Sequence, residues 1–207
     1  MSLLQEAVLV AGKDLRIEAR SRVTAQQILP FGLVVLLLFA FALDPDRGVL
    51  STVAPGLFWV TVLLGVLLAV GRAYSIEADN GARDGLRLSG LDSSALFLGK
   101  AGAVAIELVA LEALLTAGVV VLFNVGLGGV APLLLSTLAA TVGLAAAGTL
   151  YGVLAAGLRV RETLLPVLLL PVVAPVLLGA TRAWESAVSG ALMEIDRVLA
   201  MLWGLTH

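Results

Sequence analysis

The sequence contains no cysteine and only one histidine, His207, at its last position. Disulfide bonds, thiolate catalysis and cysteine-ligated metals are therefore excluded. The commonest metal ligand and general base is also missing from every apolar segment. We expect neither catalytic residues nor a metal site in this chain.

Charged side chains are scarce as well. Only 14% of the residues are charged, 60% are hydrophobic, and the mean hydropathy is +1.06. Soluble domains contain roughly 25% charged and about 45–50% apolar residues. The composition therefore predicts an integral membrane protein surrounded by lipid. A nucleic-acid partner is not expected.

Five apolar stretches approach the roughly 20 residues that a helix needs to cross a bilayer. They are 27–43, 52–71, 101–123, 132–158 and 164–180. The segment 187–207 is an uncertain sixth helix, because it is short and charged. The predicted fold is an all-α membrane protein with a single transmembrane domain over 1–207. It has an amphipathic interfacial helix within 1–26 and five to six spans, the last one short or truncated.

The positions of lysine and arginine predict the orientation, since these residues are enriched in cytoplasmic loops. Ten of the 13 precede the first span or lie in the second and fourth connections, and the other three are Arg47, Arg182 and Arg197. The N-terminus is therefore predicted to be cytoplasmic.

The N-terminal segment has the pattern of a basic amphipathic helix, which lies in the lipid headgroup layer. Its apolar stripe consists of Leu4, Val8, Ala11, Leu15 and Ala19. The opposite, basic face consists of Lys13, Arg16 and Arg20. Two interpretations stay open. The segment is either a simple anchor for the first span or an elbow helix that also supports a cytoplasmic partner.

No motif for ATP hydrolysis is present. A phosphate-binding loop needs Gly-Lys followed by Ser or Thr. The two Gly-Lys pairs, at 12–13 and 99–100, are followed by Asp14 and Ala101. The chain is therefore predicted to be non-catalytic, and any ATP hydrolysis is expected on another chain.

Two carboxylates, Glu107 and Glu112, lie within the third span. Ionisable groups in membranes are costly and usually face protein or water. We expect Glu107 to reach the cytoplasmic side and Glu112 to have a buried polar partner or to line a pathway.

The fifth span, LLPVLLLPVVAPVLLGA, contains Pro166, Pro171 and Pro175. Proline inside a helix removes a backbone hydrogen bond, at a cost of about 3 kcal/mol. Pro171 and Pro175 share one helix face, and Pro166 lies away from both. The pattern predicts a bent or partly unwound helix, and both a static kink and a moving hinge are consistent with it.

This proline-broken run resembles the haem exporter protein B (CcmB) family. Three other segments also resemble that family. They are the second span, APGLFWVTVLLGVLLA, the junction GLRVRETLLP, and the cytoplasmic loop 72–100. The loop has an acidic–Gly–x–Leu–x–Leu–Ser pattern and ends in a lysine. Its matching residues are Glu77, Asp79, Gly81, Leu86, Leu88, Ser89 and Lys100.

The resemblance implies the membrane subunit of an ABC-type transporter in cytochrome c biogenesis, in the bacterial inner membrane. It implies a separate ATPase, a haem-handling membrane subunit and two copies per complex. Haem would be the transported or handled ligand, with no cofactor bound tightly by this chain. The predicted ATPase-coupling loop comprises Glu77, Asp79, Gly81, Arg83, Arg87, Ser89 and Lys100. An export permease for another substrate, a secondary transporter and a membrane scaffold are the alternatives.

Overall fold

The structure is a computed structural model of the chain. It describes residues 2–22, 24–43, 49–79, 90–123, 130–155 and 161–204.

Six α-helices make up the described residues. They are α1 (Leu3–Ser21), α2 (Leu29–Ala42), α3 (Val49–Asp79), α4 (Ser93–Phe123), α5 (Val130–Ala155) and α6 (Arg161–Gly204). A short π-helical turn, Thr24–Ile28, joins α1 to α2. Five stretches, one formed by the π-helical turn with α2 and one in each of α3 to α6, are long and apolar enough to cross a membrane. The predicted all-α membrane fold is confirmed.

The N-terminal helix has well-defined ends. Ser2 and Gln5 form a capping box, in which each side chain bonds the other residue's backbone N–H. Such a box satisfies two amide groups that the first turn leaves without helical partners. At the other end Arg22 adopts a left-handed conformation with φ 54° and stops the helix. The predicted helix within 1–26 is therefore α1, and the π-helical turn leads from it into the first span.

Two central helices organise the bundle. Helix α3 packs against α2, α4, α5 and α6, while α4 packs against α1, α2, α3 and α5. Their shared core contains the fully buried Phe58 and Val62 of α3 and Leu111 and Leu115 of α4. A Cβ at Gly152 of α5 would lie 2.3 Å from a ring atom of Tyr74. Small residues of this kind let membrane helices approach closely without a side chain between them.

Helical structure extends into the predicted connection 72–100 from both sides. Helix α3 continues to Asp79, and α4 already begins at Ser93. The two helices can carry Arg72 and Lys100 because acidic residues of α1 lie beside these cations.

The proline-containing helix is continuous. Pro166, Pro171 and Pro175 all lie inside α6, and the partial unwinding that the sequence predicted is not seen. Without water in the bilayer, the remaining backbone hydrogen bonds favour the helical path. Residues 187–204 continue the same helix and do not form a separate sixth one. This agrees with the absence of proline after Pro175.

Candidate functional site

A buried lysine and the residues around it link four helices at the end of the bundle where α1 lies. Lys100 of α4 is only 7% exposed, and its Nζ lies 3.2 Å from Oδ2 of Asp14 on α1. The same Nζ lies 5.2 Å from the centre of the Tyr74 ring on α3. The Tyr74 hydroxyl donates to the backbone oxygen of Thr149 on α5, at 3.0 Å. We call Asp14, Lys100, Tyr74 and Thr149 the Lys100 junction.

Two further contacts hold α1 in place. Glu18 lies 3.7 Å from Nε of Arg72 on α3. The backbone N–H of Asp92, just before α4, donates to Oε2 of Glu6 at 3.2 Å. Asp14 lies eight positions after Glu6 and four before Glu18, so the three residues fall within about 120° of the helix surface and share one side. Sequence reasoning considered the basic residues of this segment and missed this acidic side, although its spacing was a usable signal.

The backbones of α1 and α4 approach closely at Gly99. A Cβ at this position would lie 2.6 Å from Cβ of Val10 and 2.7 Å from the backbone oxygen of Ala7. Ala7 and Val10 are the buried residues of α1, at 8% and 3% exposure. The first helix is therefore packed onto the bundle along a narrow face.

The opposite face of α1 is open. Leu4 and Val8, the first residues of the predicted apolar stripe, are 72% and 70% exposed. A shallow groove of about 470 Å³ runs along this side, lined by Val8, Leu9, Gly12, Lys13, Arg16, Ile17 and Arg20. Mixed basic and apolar surfaces of this kind suit the lipid headgroup layer or another protein.

The loop that the sequence assigned to ATPase coupling is only partly described. Glu77 and Asp79 lie in the last turn of α3, while Gly81, Arg83, Arg87 and Ser89 fall outside the described residues. Lys100 is described, and it lies buried within the Lys100 junction.

Asp92 caps the N-terminus of α4. Its Oδ1 accepts a hydrogen bond from the backbone N–H of Ser94 at 2.7 Å. This bond stabilises the ionised form and lowers the pKa of the Asp92 carboxyl below its usual value. The helix dipole also favours the negative charge of an ionised carboxyl group at a helix N-terminus.

A second polar cluster lies within the membrane part. Glu112 is 3% exposed, and Oγ1 of Thr141 on α5 lies 2.8 Å and 2.7 Å from its two carboxyl oxygens. Trp184 of α6 donates from Nε1 to Oγ1 of Thr137 at 3.2 Å. The expected buried partner of Glu112 is therefore present. Glu107 is half-buried on the same helix.

The three prolines differ in surroundings. Pro166 is half-buried, whereas Pro171 and Pro175 are exposed on the face expected from their spacing. Pro175 lines a shallow groove of about 300 Å³ between α5 and α6 with small residues, including Ser136, Ala139 and Gly179. Among the described residues, no three His, Cys, Asp or Glu side chains lie close enough to hold a metal ion.

Comparison with known proteins gives a consistent result. Haem exporter protein B of Paracoccus denitrificans is 32% identical over 186 residues, covering 86% of this chain and 82% of that protein. The protein of the same name from Rhodobacter capsulatus is 32% identical over 198 residues, covering 94% and 88%. The one from Pseudomonas aeruginosa is 30% identical over 184 residues, covering 88% and 82%. No solved structure matches the chain.

The family description "CcmB protein" matches residues 5–207, which include most of α1, all five candidate spans and both polar clusters. The chain belongs to the CcmB protein family.

Proposed function

We propose that this protein is the membrane subunit of an ABC-type haem-exporter complex that acts in cytochrome c biogenesis. Its family and the names of its relatives support this function. The bundle of apolar helices fits a multi-pass transport subunit. Because the sequence has no phosphate-binding loop, a separate ATPase subunit supplies the energy.

The observation that carries the coupling mechanism is the Lys100 junction. A membrane subunit without its own nucleotide site must receive movement from its partner through a rigid element. The junction fixes α1 to α3, α4 and α5 through Asp14, Lys100 and Tyr74. Segment 80–92 connects the two helices that meet there. The ATPase therefore docks on this segment and on the exposed side of α1.

Lys100 acts indirectly in this proposal. At 7% exposure it cannot offer its ammonium group to a partner, but it holds α1 at the base of the docking surface. Direct contacts come from Arg83 and Arg87 of the loop, with Glu77 and Asp79 at its start. These residues supply charges of both signs and therefore a directional contact.

The docking surface faces the cytoplasm, where ATP is available. Ten of the 13 lysine and arginine residues lie on this side by the order of the spans. The protein accordingly resides in the bacterial inner membrane with its N-terminus in the cytoplasm.

Haem is the ligand that the complex exports or releases with a chaperone. Strong axial ligands for haem iron include His and Cys side chains, and neither occurs in the candidate spans. A haem-handling membrane subunit therefore provides the ligands, and this chain, in two copies, provides the moving membrane part. The paired prolines of α6, Pro171 and Pro175, supply a place for that movement.

Charge reversal in the loop tests the proposed function. The double variant Arg83→Glu, Arg87→Glu should insert in the membrane but recover less ATPase on purification and mature less cytochrome c. Arg182→Glu is the matched control, because Arg182 is 84% exposed and is predicted to lie on the opposite side of the membrane. Unchanged ATPase recovery together with unchanged cytochrome c levels in the double variant would contradict the proposal.

A further inference from the structure

The carboxyl group of Glu112 is buried in the membrane among apolar helices. It is 3% exposed and lies near the middle of α4. An ionised carboxylate in such surroundings needs a cation or several hydrogen-bond donors, because water cannot solvate it. The charges and donors around it therefore determine its protonation state.

Among the side chains that the structure describes, no cation faces Glu112. Segments 29–42 and 52–71 of α2 and α3 have no ionisable side chain, and segment 131–155 of α5 has only Tyr151. Helix α4 itself carries Lys100, which lies 12 positions away and bonds Asp14. At 1.5 Å per residue this is about 18 Å along the helix axis.

The other described cations of the neighbouring helices, Arg72 and Arg182, have carboxylate partners elsewhere. Arg72 of α3 pairs with Glu18 of α1, and α1 meets α4 near Gly99, more than three turns from Glu112. Arg182 of α6 pairs with Glu185 at 3.1 Å and is 84% exposed. Glu107, on α4 itself, is acidic and would oppose a second negative charge.

The hydrogen-bond donors are also too few for an anion. Oγ1 of Thr141 lies 2.8 Å and 2.7 Å from the two Glu112 oxygens, and 2.8 Å from the backbone oxygen of Thr137. A hydroxyl has one hydrogen, so it cannot serve all three acceptors. The neighbouring Thr116 hydroxyl bonds the backbone oxygen of Glu112 and not its carboxyl group.

A proton on the carboxyl group resolves this shortage. The acid O–H then donates to Oγ1 of Thr141, and the Thr141 hydroxyl donates to the backbone oxygen of Thr137. Each hydrogen has one acceptor, and no charge is buried. The chain of bonds extends to α6, because Oγ1 of Thr137 accepts from Nε1 of Trp184.

We propose that Glu112 and Thr141 form a proton-binding site in the membrane, in which Glu112 is a neutral acid that fastens α4 to α5. Loss of the proton leaves an anion without a cation among apolar side chains and weakens this contact. Binding of one proton is therefore linked to the packing of α4, α5 and α6 in this conformation.

Infrared spectroscopy of the purified full-length chain in lipid vesicles tests the proposal. At neutral pH the wild-type chain should show the C=O stretching band of a protonated carboxylic acid, which carboxylates lack. The band should disappear in Glu112→Gln and persist in the matched control Glu107→Gln. Absence of the band in the wild type, or its persistence in Glu112→Gln, would overturn the proposal.

A second variant covers the case in which Glu112→Gln does not fold. Thr141→Val preserves the shape of the side chain and removes the hydroxyl oxygen that accepts the hydrogen bond from the acid O–H of Glu112. The acid band should then move to higher frequency, because its hydrogen bond is lost. A band at the same frequency in Thr141→Val would show that Thr141 is not the partner and would refute the site.

Discussion

Placing a methyl group at Gly99 should separate α1 from the bundle. The added Cβ would lie 2.6 Å from Cβ of Val10 and 2.7 Å from the backbone oxygen of Ala7. Carbon atoms in favourable contact are roughly 3.5–4.0 Å apart, so the two helices must move apart by about 1 Å. Neither obstacle can rotate away, since one is a Cβ and the other is backbone.

The expected cost of Gly99→Ala follows from two opposing effects. Overpacking costs about 1–3 kcal/mol, while replacing glycine by alanine in a helix gains roughly 0.5–1 kcal/mol. A net loss of up to about 2.5 kcal/mol in the free energy of unfolding is expected. Gly102→Ala is the matched control, because no atom lies within 4 Å of its added Cβ and only the gain applies.

A single-cysteine assay reports this separation directly, because the chain has no cysteine. Val10→Cys places a thiol at a site that is 3% exposed, where it should react slowly with a maleimide. Adding Gly99→Ala should speed the reaction, and adding Gly102→Ala should not. Equal thiol reactivity and equal thermal stability in the two double variants would refute the close packing of α1 on α4.

Three further predictions concern the Lys100 junction, the start of α4 and the prolines. Lys100→Met removes the buried one of the two cations beside Asp14 and should cost about 1–3 kcal/mol in thermal unfolding, whereas Lys13→Met, which removes the cation 2.9 Å from Oδ1 of Asp14 at a side chain 38% exposed, should cost less. Because the pKa of Asp92 is lowered in the folded protein, its stabilisation of α4 is complete above the usual aspartate pKa and is lost as pH falls through the lowered value. Hydrogen exchange in the first turn of α4 should show this acid sensitivity, and Asp92→Asn should remove it. The double variant Pro171→Ala, Pro175→Ala should assemble and bind ATP but fail to mature cytochrome c. Normal maturation would show that these prolines are not a working hinge.

The spans were predictable because each depends on its own composition. A run of apolar residues long enough to cross a bilayer needs no partner to be recognised. The cap at Asp92 was predictable for the same reason, since its bond to Ser94 joins residues two positions apart. The amphipathic pattern of α1 likewise belongs to one short segment.

The positions at which α3 ends and α4 begins were not predictable from local sequence. Arg72 and Lys100 normally mark the ends of apolar spans, but here both lie inside helices. Their charges are balanced by Glu18 and Asp14 of α1. Asp14 and Lys100 are 86 positions apart, and only the folded chain brings them together.

The partner of Glu112 depended on the fold in the same way. Sequence reasoning predicted a buried polar partner, but the third span alone could not identify it. Thr137 and Thr141 were the available signal, since two hydroxyl residues four positions apart lie on one side of an apolar helix. Of the two predicted forms of α6, bent or partly unwound, the unwound form is not seen, because backbone groups in lipid are best satisfied within a helix.

The 86-position separation between Asp14 and Lys100 has a consequence for how the protein is made. Helix α1 leaves the ribosome before α3 and α4, so the residues that pair with its acidic side, Arg72 and Lys100, are synthesised only later, with the second and third spans. Until then α1 can be held only by lipid, through exposed residues such as Leu4 and Val8. A nascent chain stopped before α4 should therefore carry a loosely attached first helix that is open to proteases. Attachment of this helix would then mark the point at which synthesis has passed the third span.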